Sequence, residues 1–159
     1  MQNTPERTDL IEKIANFPLL IARVVEGLTV QQLTTHTLPG EWTIAQNIHH
    51  LADSHMNAYI RCKLIMSEER PELKPYDQDQ WALFADATSA DLSTSLGILT
   101  NLHARWTIFW KSLPEEAWSR VGLHPEIGAV SMAEQLRSYA EHGEAHIDQI
   151  RRTLAAGDW

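Results

Sequence analysis

TIAQNIHHLADSHMNAYIRCKLIMSEERP, residues 43–71, commits the chain to helix. Thr43-x-x-Gln46 is a capping box, in which a hydroxyl and an amide satisfy N–H groups that the first turn of a helix leaves unpaired. Pro71 stands just past the far end, where it would break an i→i−4 ladder. Between them Ile44, Ile48, Leu51, His55, Tyr59, Cys62 and Met66 recur at steps of three and four, the period of one apolar helical face. The predicted helix runs roughly from Ile44 to Glu69, and a face that long needs other elements to cover it.

Three more segments supply them. The first runs roughly from Pro5 to Gly27, with Thr4 as N-cap and Pro5 at the first helical position, where a missing N–H costs nothing. Pro18 lies inside it and is expected to kink or divide it. The third runs roughly from Ala90 to Leu113, capped by Thr88 or Ser89 and stopped at Pro114. Its stripe is Leu92, Leu96, Leu99, His103, Trp106, Trp110 and Leu113. The fourth runs roughly from Met132 to Ala156, opened by a second capping box, Ser131-x-x-Glu134, and closed by Gly157. Its stripe is Met132, Leu136, Tyr139, Gly143, Ile147, Ile150 and Leu154. Four such faces predict an all-α four-helix bundle, one domain over residues 1–159, with little or no sheet. Residues 70–86 are expected to hold one short helix near Trp81. Residues 114–130 are expected to hold a helical turn and then an irregular stretch. Connections this long either carry function or simply cross the end of a bundle.

The composition narrows the function. Thirteen Lys and Arg against 21 Asp and Glu leave a net charge of −8 over 159 residues. That balance argues against a nucleic-acid or anionic-membrane partner, both of which require clustered cations. No apolar run is long enough to span a bilayer. The start, MQNTPERTDL, lacks the basic and apolar regions of a signal peptide. Cys62 is the single cysteine, so no internal disulfide forms, and its place on an apolar stripe reads as packing and not as a nucleophile. A cytoplasmic location is expected.

Histidine is where chemistry collects: there are eight. His142 and His146 are four apart, about 40° around a helix and one turn along it, which is how a helix offers two imidazoles to one metal ion. The string HGEAH differs from the zinc-protease HExxH, because Glu144 lies about 200° around from His142 and faces away. Glu141 also falls on the outer side, while Tyr139 and Gln149 share the histidine side. Gly143 between the pair costs about 1 kcal/mol relative to alanine, which close packing or access to a metal would explain. Residues 48–55, IHHLADSH, offer a third ligand in His49, His50 or His55. Periodicity places His55 in the apolar stripe and leaves His49 and His50 outside it. A hydrogen-bonded core histidine is the plainer reading of His55, and His103 has the same two readings. Asp53 reads as an exposed charge, or else as an orienting carboxylate for a histidine. The six tryptophans read first as core packing and second as the lining of a pocket.

Three stretches resemble the YfiT-type branch of the DinB-like superfamily: residues 40–82, beginning GEWTIAQNIHHLADSH; HPEIG, residues 124–128; and YAEHGEAHI, residues 139–147. They occur in the order that branch shows and span nearly the whole chain. The resemblance implies a four-helix bundle, often homodimeric, holding one divalent metal ion, zinc or nickel, with three histidines. Carried over by motif, the ligands are His50, which precedes Leu51-Ala52 in the tryptophan-led motif, and His142 and His146. His50 rests on the resemblance alone, with His49 as the fallback. Members commonly read YAWHGxHHxxHI in the last motif. Here Glu141, Ala145 and Gln149 replace a tryptophan and two histidines, which puts substrate preference in doubt and leaves the i,i+4 pair intact.

Proteins of this type are labelled metal-dependent hydrolases or bacillithiol transferases. The resemblance therefore implies a metal-dependent enzyme, a hydrolase or a low-molecular-weight-thiol S-transferase, acting on a small molecule. Three imidazoles leave coordination positions open, as a catalytic site requires. No protein residue stands out as a general base. The competing reading is a non-catalytic, stress-related metal- or ligand-binding helical bundle.

Overall fold

The computed structural model describes the backbone of residues 4–159 and the side chains of residues 6–159. Six helices and one hairpin follow in chain order: α1 (Thr4–Val25), α2 (Val30–Thr34), α3 (Ile44–Ser67), α4 (Gln78–Trp81), α5 (Ser93–Lys111), β1 (Val121–His124), β2 (Gly128–Ser131) and α6 (Met132–Ala156). A 3-10 turn, Glu115–Ser119, precedes the hairpin.

Both long capping boxes form as the sequence predicts. Thr43 accepts from the Gln46 N–H and Ser131 from the Glu134 N–H, and each partner side chain reaches back to the cap. A third box, Thr29 with Gln32, opens α2, a helix too short to show a period. Thr4, expected as the N-cap, already stands within α1, and its side chain lies outside the described ones. Gly157 follows α6 as expected but at φ −83°, so its use is not left-handed geometry. The helix expected from Ala90 begins only at Ser93. Ser89 accepts from the Asp91 N–H and Asp91 from the Ser93 N–H, so these side chains shape the approach turn and do not cap the helix.

Pro18 does not divide α1, which continues to Val25. The hairpin was read from sequence only as an irregular stretch, because strands of four residues are too short to display alternation. Gly128, at φ +80°, supplies the left-handed residue that lets the chain reverse there.

α1 and α3 each pack against both α5 and α6. They therefore occupy opposite corners, and the connections α1 to α3 and α5 to α6 each cross the bundle diagonally. One connection passes through α2 and the other through the hairpin. The hairpin is stitched to the α3–α4 connection by the Leu73 N–H to the Leu123 carbonyl at 2.9 Å and the Leu123 N–H to the Pro71 carbonyl at 2.8 Å.

The core is in two parts. One, around Leu10, Ile14, Ala58, Trp106, Trp110 and Leu136, stacks three indoles in series, with Trp106–Trp110 centroids 5.8 Å apart and Trp110–Trp118 centroids 5.7 Å apart. The other, around Phe17, Ile21, Ile48, Leu51, Leu99 and Ile147, is almost wholly aliphatic. Buried histidines lie at the junction: Phe17 from the second part and Trp106 from the first both pack on the rings of His55 and His103. No helix among the described residues is long and apolar enough to cross a membrane.

Candidate metal centre

α3 and α6 are packed neighbours in the bundle, and this brings His50 to the i,i+4 pair of α6. The Nε2 atom of His142 lies 3.4 Å from that of His50 and 3.1 Å from that of His146. One ligand atom from each of the three rings falls within 4.8 Å of the others. Three neutral imidazole nitrogens gathered this closely are the donor set a borderline divalent ion takes. Burial, then the neighbouring imidazoles, hold His50 and His142 down at about 3, and burial alone holds His146 at about 4. All three rings are thus neutral near pH 7, with lone pairs to offer.

Two of the three rings, His142 and His146, are also steered from behind. The His146 Nδ1–H donates to Asn47 Oδ1 at 2.7 Å, and the Asn47 amide is itself oriented by donating from Nδ2 to the Thr43 carbonyl at 2.9 Å. His142 Nδ1 lies 3.2 Å from His55 Nε2, and His55 Nδ1 lies 2.7 Å from His103 Nε2. Trp42 covers the cluster, its ring 4.6 Å from that of His50 and nearly parallel to that of His146 at 11°.

His49 and His50 are adjacent and equally buried, yet only His50 joins the cluster. His49 spends both nitrogens elsewhere, Nδ1 with Ser95 Oγ at 2.7 Å and Nε2 with the Ser89 carbonyl at 2.9 Å. Periodicity had left both outside the apolar face. In fact residues 43–52 are buried all round, because α2, α5, α6 and the α4 segment surround that end of α3. His55 and His103 are fully buried and hydrogen-bonded, as the plainer reading had it. Asp53 is half-buried and not the exposed charge expected; burial, then Asp86, push its carboxyl up. Burial pushes the Cys62 thiol up to about 12, in keeping with packing.

On α6, Glu144 points outward and pairs with Lys13 at 2.8 Å, and Glu141 is exposed. Gly143 is explained by close approach: a Cβ there would stand 2.7 Å from the Phe17 ring.

Two cavities of about 430 Å³ open beside the cluster. One lies over His50, His142 and His146, under Trp42, with Gln78 and Gln149 on its wall. The other adjoins His142 and is lined by Ser54, Arg61, Tyr76 and Tyr139, with the hairpin residue His124 at its edge. Both long connections therefore contribute residues to the walls of these cavities. Burial pushes the Tyr76 phenol up to about 12, so it stays a hydrogen-bond donor at neutral pH. The sequence reading missed Trp42, Asn47, Ser54 and Arg61. A signal for three of them was present: Asn47, His50, Ser54 and Arg61, at steps of three, four and seven, form a second and polar stripe along α3.

The model of the DinB superfamily matches residues 20–150. The chain belongs to the DinB superfamily. Among its DinB relatives, a protein of Oceanobacillus iheyensis is 40% identical over 149 residues, covering 94% of this chain and 86% of the relative. YfiT of Bacillus subtilis is 38% identical over 150 residues, covering 94% and 84%. Both carry the name "putative metal-dependent hydrolase". The solved structure of Bacillus subtilis YfiT, whose description speaks of "an unusual four-helix bundle topology", superposes with a TM-score of 0.93 at 36% identity, over 96% of this chain and 88% of that one. A mycothiol-dependent maleylpyruvate isomerase shares the fold, with a TM-score of 0.71 at 18% identity over 91% of this chain and 60% of that one.

Proposed function

We propose that this DinB-superfamily chain is a metal-dependent enzyme that activates a nucleophile against a small polar substrate, with His50, His142 and His146 holding one divalent ion, zinc or nickel. The observation that supports it is the convergence of three neutral Nε2 atoms within 4.8 Å at the meeting of two cavities. The names of the relatives point the same way. A divalent ion held by three imidazoles, with positions left open, supplies Lewis-acid activation of water or of a thiol.

The chain's own residues do the rest. Asn47 and His55 orient the ligand rings from behind. Trp42 roofs the cluster and keeps bulk water off it. Ser54, Arg61, Tyr76 and Tyr139 line the approach beside His142 with hydroxyls and one cation, which suits a polar substrate. Hydrolysis is the reading the relatives' names favour, with transfer to a low-molecular-weight thiol as the alternative outcome.

The test is elemental analysis of protein purified without a His-tag or added metal, wild type beside His50→Ala and His146→Ala. Near one equivalent of zinc or nickel in the wild type, lost in both variants, is expected. The loaded protein is then offered ester and amide substrates with water alone, and electrophiles with a low-molecular-weight thiol. Turnover in the first set supports hydrolysis, and turnover only in the second supports S-transfer. No ion in the wild type after reconstitution overturns the proposal. A bound ion with no turnover in either set leaves a binding protein.

A further inference from the structure

We propose that Pro18 and the buried pair His103–His55 form a positioning device that fixes the tautomer of His142, so that its Nε2 lone pair is presented to the cluster. The argument begins in α1, away from the site. Proline has no N–H, so Pro18 leaves the carbonyl four residues earlier, at Ile14, without its helical partner. Ile14 is 1% exposed, so solvent does not satisfy that carbonyl. His103 Nδ1 does, at 2.6 Å.

A carbonyl only accepts, so this contact requires the proton of His103 to be on Nδ1. In the neutral ring Nε2 is then an acceptor. His55 Nδ1, 2.7 Å away, must donate to it, which makes His55 Nε2 an acceptor in turn. His142 Nδ1, 3.2 Å from that atom, donates to it. His142 Nε2 is left bare, facing His50 and His146. One backbone carbonyl thus sets the polarity of three rings in series. His146 reaches the same state by the shorter route through Asn47 to the Thr43 carbonyl. The walls hold the series in line: Phe17, beside Pro18, packs 5.4 Å from both His55 and His103, and Trp106 packs on their other side. His55 and His103 touch no reacting atom in this scheme; they are positioning residues.

The consequence for ligation rests on the reading of His142 as a metal ligand, but the tautomers are measurable with no ion present. Long-range ¹H–¹⁵N NMR of the imidazoles in the ion-free wild type at pH 7.5 is expected to show His103, His55 and His142 all protonated on Nδ1. His142 found protonated on Nε2 overturns the proposal. That outcome is independent of whether the proposed function holds.

The second arm is titration with Co²⁺ alone, followed by visible absorption. His103→Leu, which fills the space but ends the series, is expected to weaken Co²⁺ binding about 10- to 100-fold. His103→Gln, whose amide can donate to Ile14 and accept from His55, is expected to restore binding to within a few-fold. Equal affinity and an unchanged spectrum in folded His103→Leu overturn the proposal. So does equal weakening in both variants, which would mean packing alone. Pro18→Ala returns a competing N–H to the Ile14 carbonyl and is expected to move the His103 Nδ1–H resonance. An unmoved resonance overturns the part given to Pro18.

Discussion

Two histidine groups lie side by side at the junction of the core, and they differ in one respect. His55 and His103 have both ring nitrogens occupied, by each other, by His142 and by the Ile14 carbonyl. His142 and His146 each have one nitrogen tied down behind and the other turned to a shared centre with His50. Burial does not separate the groups, since both are largely removed from water and both have depressed pKa values. The destination of the second nitrogen does. His49 makes the same point at one residue's remove: with Ser95 and the Ser89 carbonyl on its two nitrogens, it has nothing left to offer.

The sharpest way to break the contrast is to substitute the adjacent pair singly. His50→Ala is expected to abolish the near-stoichiometric ion content, read by elemental analysis. His49→Ala is expected to keep the ion and instead lose about 1–3 kcal/mol of stability in urea unfolding, because the buried Ser95 hydroxyl and the half-buried Ser89 carbonyl lose their partner. Ion loss in His49→Ala with retention in His50→Ala would reverse the assignment.

Acidification acts on both groups at once in the ion-free protein. Burial holds the rings of His50, His103, His142 and His146 down at about 3 to 4, against an ordinary value of 6.5. Between these limits the unfolded chain binds protons that the folded chain refuses. Stability contributed by these rings is therefore complete above pH 6.5 and declines as the pH falls towards about 4. Urea midpoints at pH 7.5, 6 and 5 should fall in that order, and a flat series would contradict the neutral buried state.

Trp106 walls the closed pair without touching the open trio's shared centre. Trp106→Ala is expected to cost about 3–5 kcal/mol through the cavity it leaves, while the ion content of protein that remains folded stays near the wild-type value. Gly143 gives the smallest effect and the finest one. Gly143→Ala gains about 1 kcal/mol of helix propensity but pushes on the Phe17 ring and, through it, on His55 and His103. A net loss of about 1–2 kcal/mol is expected, measured by thermal melting, with a measurable weakening of Co²⁺ binding.

Much of the fold was legible because it is written in local chemistry. The capping boxes at Thr43 and Ser131 mark helix starts to the residue, and most of the residues named in the stripes of α3, α5 and α6 turn out buried. The i,i+4 pair on α6 was legible for the same reason, since helical geometry alone brings His142 and His146 together. What failed locally also has local causes. The hairpin is too short for alternation to show, and α2 is one turn with a cap.

The sequence by itself determined that this is a bundle of amphipathic helices carrying an i,i+4 histidine pair, because helix periodicity and capping depend only on neighbours along the chain. Pairing His50 and not His49 with that pair was decided by tertiary structure. Two adjacent residues on a helix point about 100° apart, and only the placement of α5 and α6 around α3 says which of them meets Ser95 and which meets His142. The use made of Pro18 was decided there as well. In sequence it reads as an interruption. In the folded chain the hydrogen bond it forgoes becomes the fixed end of the histidine series, because the freed Ile14 carbonyl lies in the core, where His103 reaches it.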